Sequence, residues 1–346
     1  MPLEGLIVLE LARLLPGPLA GVVLRDFGAT VIKLEVLPKG DYLRGTDLFE
    51  LINRGKRSVA VQPEVLLPVL EAFLPQVDIV IMNYRKETQH ELGLEPDYLA
   101  RKFPRLISVN IEGYSDGRPG HDLNFLAESG VLDRLRLSPD GPPIIPAFLF
   151  GDILGGTATA LIRLLVALYQ RTQTGKGSYI HLAIREEMLR WSLISAHLHR
   201  ASGGNPPLPS QDLFSGVMPS YRVYATRDNR YIAVASLEEK FWKEFCEFLG
   251  REDLLPYGWS VGDPYPHREL ENIFRQRSWQ EWREALEGNQ FCVSPVLTFQ
   301  EAISETWAKG VWQGDFLTFS QGLSSAPAPS LGADTEWAKE QFALPL

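Results

Sequence analysis

The residues best suited by type and setting to proton or acyl chemistry are His121 and Asp152. Asp152 follows the apolar run Ala147-Phe-Leu-Phe150 and Gly151, and it precedes Gly155-Gly156 and a long apolar stretch. A carboxylate at such a helix start is stabilised as the anion by the dipole and free N–H groups. On its own, that setting describes an N-cap. His121 follows Pro119-Gly120 where a helix can begin. Imidazoles titrate near neutral pH, so a placed histidine can give or take a proton. A single histidine in a loop is ordinarily structural or merely exposed. His90, His197, His199 and His267 have no constellation around them, and His181 stands on a strand among apolar neighbours. Arg54, Lys56 and Arg57 in the loop Asn53-Arg-Gly-Lys-Arg57, with Arg85 further on, are cations that could meet phosphates. The plain reading of a basic loop is solvated surface. Glu238 and its neighbour Glu239 open a helix, where acids are favoured for dipole reasons alone. Cys246 and Cys292 lie far apart without metal-ligand spacing, so neither a metal site nor a disulfide framework is expected. Nothing pairs Cys292 with a base, and it reads as a structural thiol.

These residues need a scaffold, and the first half supplies one by alternating strand and helix patterns. Apolar runs at 6–11, 30–35, 58–61, 78–83 and 106–111 read as strands buried on both faces. Between them, Val65, Leu66, Val69, Leu70 and Phe73 recur at helical spacing after Pro63. The expected fold class is α/β, a parallel sheet with helices on both faces, as in doubly wound sheets. No G-x-G-x-x-G follows the first strand, which leaves dinucleotide binding unsupported. A long helix over 154–171, a strand at 179–183 and a second long helix from Glu186 to about His199 complete this part. A Gly/Pro-rich stretch, 202–210, has linker composition. Beyond it, 221–224 and 231–235 flank a turn and read as a hairpin, followed by aromatic helices. The expected layout is a large domain over 1–200, a linker over 201–220, a small α/β domain over 221–310 and a C-terminal return over 311–346.

The composition narrows the class of partner. The chain has 346 residues, 34 basic and 43 acidic, for a net charge of −9. No basic run appears, so nucleic acid is not an expected partner. An anionic ligand must be held by a few local cations and N–H groups. The N-terminus carries an acid where a signal peptide would carry positive charge. The greasy stretch 153–169 contains Arg163 and reads as a core helix, with no membrane span expected. A cytoplasmic, reduced setting suits the two cysteines.

Eight strings, in order along nearly the whole chain, carry a resemblance. They are LELARLLPGPLAG (9–21), DFGATVIKLE (26–35), NRGKRSVAV (53–61), PRLISVNIEGY (104–114), PGHDLNFLAESG (119–130), GDILGG (151–156), ALYQRTQTGKG (167–177) and CVSPVLTFQEA (292–302). Together they resemble the class III CoA-transferases (the CaiB/BaiF-like family), and most closely its α-methylacyl-CoA racemases. The resemblance implies a Rossmann-like large domain, a smaller α/β domain and an interlocked homodimer. It implies an acyl-CoA substrate and no cofactor beyond the CoA moiety.

In transferases of the family, the residue matching Asp152 is the nucleophile that forms an acyl-anhydride and then an aspartyl-CoA thioester. In racemases it is an acid/base at the α-carbon. The string PGHDLNFLA resembles the racemases, which carry histidine at the position of His121. Inverting a carbon α to a thioester takes a base on one face and an acid on the other, and a histidine with an environment-tuned aspartate can fill both roles. The enolate oxygen must then meet preorganised N–H donors, expected at the helix start near Asp152–Ile153. Glu238 matches a glutamate that orients the catalytic histidine across the dimer interface, with Glu239 the alternative by one position. Arg54, Lys56, Arg57 and Arg85 match CoA-binding positions. The expected activity is racemisation of 2-methylacyl-CoA thioesters; the alternatives are CoA transfer through Asp152 and an inactive CoA-binding relative. Three segments depart from the family pattern: a shortened loop before His121, Arg-Lys-Glu at 85–87, and Val36-Leu-Pro38 after Glu35.

Overall fold

In the computed structural model, residues 1–204, 211–310 and 326–346 are described. Two compact units emerge, one from residues 1–132, 146–193 and 310–346, the other from 133–145 and 194–309.

The first unit is built on a six-stranded sheet of β1 (Ile7–Glu10), β2 (Thr30–Val36), β3 (Arg57–Val61), β4 (Ile79–Met82), β5 (Ile107–Glu112) and β6 (Tyr179–Ala183). All pairings are parallel, in the order β3-β2-β1-β4-β5-β6. The order reverses between β1 and β4, and in open α/β sheets the crevice at the carboxyl ends of such strands is where ligands bind. One face packs Val8, Leu24, Ile79, Ile107, Val109 and Leu164 into a core cluster. The other packs Leu9, Ile32, Val59, Val80, Phe73 and Leu70. Apolar burial on both faces is why the strands read as continuous runs rather than alternations.

The C-terminal helix Thr335–Phe342 belongs to the second of these faces, where Ala338, Phe342 and Leu344 are buried. Asp334 ties it to the sheet edge through Ser58 N–H and Arg57, at 2.9 and 2.8 Å. Residues 311–325 of the expected return and 205–210 of the expected linker lie outside the described residues.

The long apolar helix begins earlier and wider than its sequence suggests. Gly151–Ala158 is π-helical and leads into the α-helix Thr159–Thr174, closed by Gly175 at φ 71°. By length and apolarity this helix could cross a membrane. Here Ala160, Leu164 and Ala167 enter the core, while Ile162, Leu165, Val166 and Tyr169 are exposed. The second long helix breaks at Ser192 into Ile184–Trp191 and Leu193–Ala201. Ser192 Oγ donates to Met188 O at 2.8 Å, the back-bonding by which serine bends helices.

The second unit has the expected hairpin, β7 (Tyr221–Ala225) and β8 (Tyr231–Ala235), extended by β9 (Val293–Pro295) into an antiparallel sheet. Trp242, Phe245, Phe274, Trp279 and Trp282 bury its inner face. Asp133–Ile145, expected within the large domain, groups with this unit, where Arg134 pairs with Asp212.

Candidate active site

A cavity of about 350 Å³ opens at the carboxyl ends of β1, β4 and β5, at the switch point of the sheet, and His121 and Asp152 both line it. Its wall includes Leu14, Leu15, Gly17 and Asn83.

His121 is exposed at the N-cap of the helix Asp122–Glu128. Its N–H donates to Asn124 Oδ1 at 3.1 Å, and its carbonyl accepts from Asn124 N–H at 2.8 Å. Gly120 sets the approach to it. A Cβ there would come within 2.5 Å of Tyr114 Cε2 and 2.8 Å of Phe125 Cε1, so only glycine allows the loop under these rings. The shortened loop is itself tied down: Arg118 stacks over the Tyr114 ring at 3.8 Å and donates to Glu128 Oε1 at 2.9 Å.

Asp152 sits in the first turn of the π-helix, two residues past the N-cap Phe150, so it is not the N-cap itself. Two expectations change here. The expected stabilisation as an anion does not occur: burial, and then the charge of Asp122, push the Asp152 carboxyl up to about 7. The expected oxyanion donors are also occupied. Asp152 N–H donates to Asp122 Oδ1 at 2.9 Å, and Ile153 N–H to Leu149 O at 2.9 Å.

Asp122 is the residue that sequence reading missed. It is buried, and burial raises its own carboxyl above the ordinary range despite hydrogen bonds from Asp152 and Gly151 N–H. In the sequence it is an acid in a helix's first turn, which dipole arguments already explain. Nothing there points it at a residue thirty positions away.

The wide helix turn has a packing cause. A Cβ on Gly155 would lie 3.1 Å from Ile184 Cγ2 and Met188 Sδ, and one on Gly156 2.9 Å from Pro16 Cβ. Thr157 Oγ1 donates to Pro16 O at 2.9 Å. The glycine pair therefore lets this helix press against the β1 loop, carrying Asp152 to the cavity. Local π-helical turns of this kind recur at functional sites.

The candidate cations divide sharply. Lys56 is a correction: its ammonium is in the interior, bonded to Glu10 Oε2 at 2.8 Å, Pro18 O at 2.8 Å and Asn53 Oδ1 at 3.0 Å. No phosphate from solvent reaches it, and burial lowers its proton affinity to about 8. Arg54 pairs with Asp26 and donates to Leu51 O at 3.0 Å. Arg57 lies between Asp334 and the Trp337 ring, 3.8 Å from the ring centroid. Arg85 is exposed at the end of β4, on a second cavity of about 390 Å³ that Lys86, Glu112, Ser115 and Arg118 also line.

Glu238 belongs to the second unit, exposed at the N-cap of the helix Glu239–Leu249, where its carbonyl accepts from Phe241 and Trp242 N–H. Glu239 follows in the first turn. His181 instead pairs with Glu112 at 2.6 Å. Cys292 is exposed. Among the described residues, no group of three or more His, Cys, Asp or Glu could hold a metal.

Comparison with known proteins places these features in a family. A family model described as CoA-transferase family III matches residues 3–335. Human alpha-methylacyl-CoA racemase is 33% identical over 347 residues, 96% of this chain and 87% of that protein. The (R)-2-hydroxy-4-methylpentanoate CoA-transferase of Clostridioides difficile is 26% identical over 346 residues, 92% of this chain and 84% of that protein. The crystal structure of a CaiB/BaiF family protein from Brucella suis superposes with a TM-score of 0.81 at 24% identity, covering 99% of both chains.

Proposed function

The chain is an enzyme of CoA-transferase family III, and from that premise we propose that it racemises 2-methylacyl-CoA thioesters by proton transfer at Cα. The observation that carries this reading is the pairing of His121 with an Asp152 carboxyl near 7 in one cavity. A carboxyl titrating there is present in both protonation states at neutral pH, so it can remove a proton in one direction and return it in the other. One residue takes the α-proton, an enolate forms, and the other residue delivers a proton from the opposite face. Positioned acid–base groups contribute roughly 10²–10⁴-fold. Stabilising the enolate oxygen falls to cavity groups other than the Asp152 and Ile153 N–H, which are already bonded. Similarity to the human racemase supports the same reading.

Arg54, Arg57 and Arg85 are the proposed partners of the CoA phosphates, and Glu238, across the proposed dimer interface, is the proposed orienting acid for His121, with Glu239 as the alternative. No cofactor beyond the CoA moiety enters this chemistry. A homodimer is proposed from the exposed stripe Ile162, Leu165, Val166 and Tyr169, which recurs at i, i+3, i+4 and i+7 on one helix. The setting proposed is cytoplasmic.

The second reading is CoA transfer with Asp152 as nucleophile, supported by the transferase relative and by the carboxylate facing the cavity. Solvent deuterium entering Cα of a 2-methylacyl-CoA tests the first reading. Conversion of the Asp152 carboxyl to its hydroxamate by hydroxylamine in the presence of acyl-CoA, without Cα exchange, would replace it with the second.

A further inference from the structure

Past β1 the chain runs along the cavity wall as Arg13-Leu14-Leu15-Pro16-Gly17. Leu14 is left-handed, with φ 67°, a conformation that a side chain with a Cβ adopts only when its surroundings impose it. The surroundings here do so through four hydrogen bonds and an ion pair. Arg13 N–H donates to Asn83 Oδ1 at 3.3 Å, and Asn83 Nδ2 donates to Arg13 O at 3.2 Å. Leu14 N–H donates to Asp41 Oδ1 at 3.4 Å, an oxygen that also accepts from Leu43 N–H at 3.1 Å.

Asp41 is itself held from behind. Its Oδ2 meets Lys33 Nζ at 2.9 Å, and that ammonium also bonds Glu10 Oε1 and Ala12 O, each at 3.0 Å. Lys33, Glu10 and Asp41 are all buried. On its far side the loop reaches the helix of Asp152, through Pro16 O and Thr157 Oγ1 at 2.9 Å. A carboxylate clamped to a buried cation thus grips one end of a loop whose other end touches the segment bearing the reactive acid. Proton transfer is sensitive to such placement, since a shift of 1 Å can cost about 10²-fold.

We propose that Asp41 is a positioning residue for the reaction at Asp152, acting through the left-handed backbone of Leu14 to keep the Arg13–Gly17 wall in place. This rests on the acyl-CoA reading, and the test separates the two. In the full chain, Cα deuterium exchange and amide hydrogen exchange of residues 11–17 are measured together for Asp41→Asn, Asp41→Ala, Leu14→Gly and Leu14→Val. Asn keeps one oxygen acceptor but loses the charge facing Lys33, and Ala loses both. Gly adopts positive φ without a side-chain penalty, and Val resists that conformation.

The expected result is a kcat lower by roughly 10- to 100-fold in Asp41→Ala and Leu14→Val, with KM within about 3-fold. Amide exchange over 11–17 rises in both. Leu14→Gly retains clearly more kcat than Leu14→Val, whereas Asp41→Asn, whose amide NH2 would face the Lys33 ammonium, loses kcat as Asp41→Ala does. Equal losses in Gly and Val overturn the proposal, as does wild-type kcat in Asp41→Ala or unchanged amide exchange. The Leu14 pair leaves the buried ions intact, so it decides the matter even if Asp41→Ala does not fold. Should the wild type exchange no acyl-CoA at Cα, the racemase reading fails, and amide exchange alone then decides the positioning role.

Discussion

Asp122 accepts the backbone N–H of Asp152 at 2.9 Å, so the carboxylate whose charge raises the proton affinity of Asp152 also anchors the backbone that carries it. A single side chain therefore couples the position of the candidate acid to its titration.

Asp122→Asn separates these two effects, because the amide oxygen can still accept the N–H while the charge is gone. The Asp152 limb of the pH–rate profile should move to lower pH, with kcat at its plateau largely kept. An unmoved limb would mean that burial alone sets the value.

Asp152→Asn should make the protein more stable at pH 8 and leave it unchanged near pH 4. The folded carboxyl, at about 7, binds its proton more tightly than the same carboxyl in the unfolded chain, at 3.8. The folded state is thus favoured below the unfolded value, and that advantage is lost as pH rises to about 7. Thermal unfolding of both proteins across this range reads the difference, expected as a rise on the order of 5 °C for the variant at pH 8.

Much of the scaffold is legible in the sequence. β4 and β5 fall on the runs at 78–83 and 106–111, because strands buried on both faces leave nearly unbroken apolar runs. His121 and Asp152 were legible as a pair through the resemblance, and the cavity joins them. Lys56 was not, because a buried cation and a solvated one look alike in a basic loop; only Glu10, brought from β1, distinguishes them. The Asp152 titration was missed for the same reason. Helix-start reasoning sees the N–H groups but not Asp122, which accepts two of them and adds a like charge.

Lys56 and Arg85 should accordingly fail in different ways. Lys56→Met leaves Glu10 buried beside one fewer cation and should cost about 3–5 kcal/mol of stability, read by denaturant unfolding. Arg85→Ala should leave stability unchanged and raise KM for an acyl-CoA roughly 10-fold with kcat little altered. A KM effect from Lys56→Met without loss of stability would reverse the assignment.

The exposed helix stripe predicts an association that charge should break. Leu165→Arg introduces a cation beside Ile162, Val166 and Tyr169. Light scattering should report a dimer for the wild type and a smaller or aggregated species for the variant. A monomeric wild type would remove the proposed homodimer.

Proton transfer at Cα by His121 and Asp152 is read out by following deuterium from solvent into a panel of 2-methylacyl-CoA thioesters by mass spectrometry. The wild type should incorporate deuterium at Cα with loss of configuration, reduced about 10²–10⁴-fold in His121→Ala while its fold is retained. CoA transfer to a second carboxylic acid, with an acyl group trapped on Asp152 and no deuterium at Cα, would contradict it.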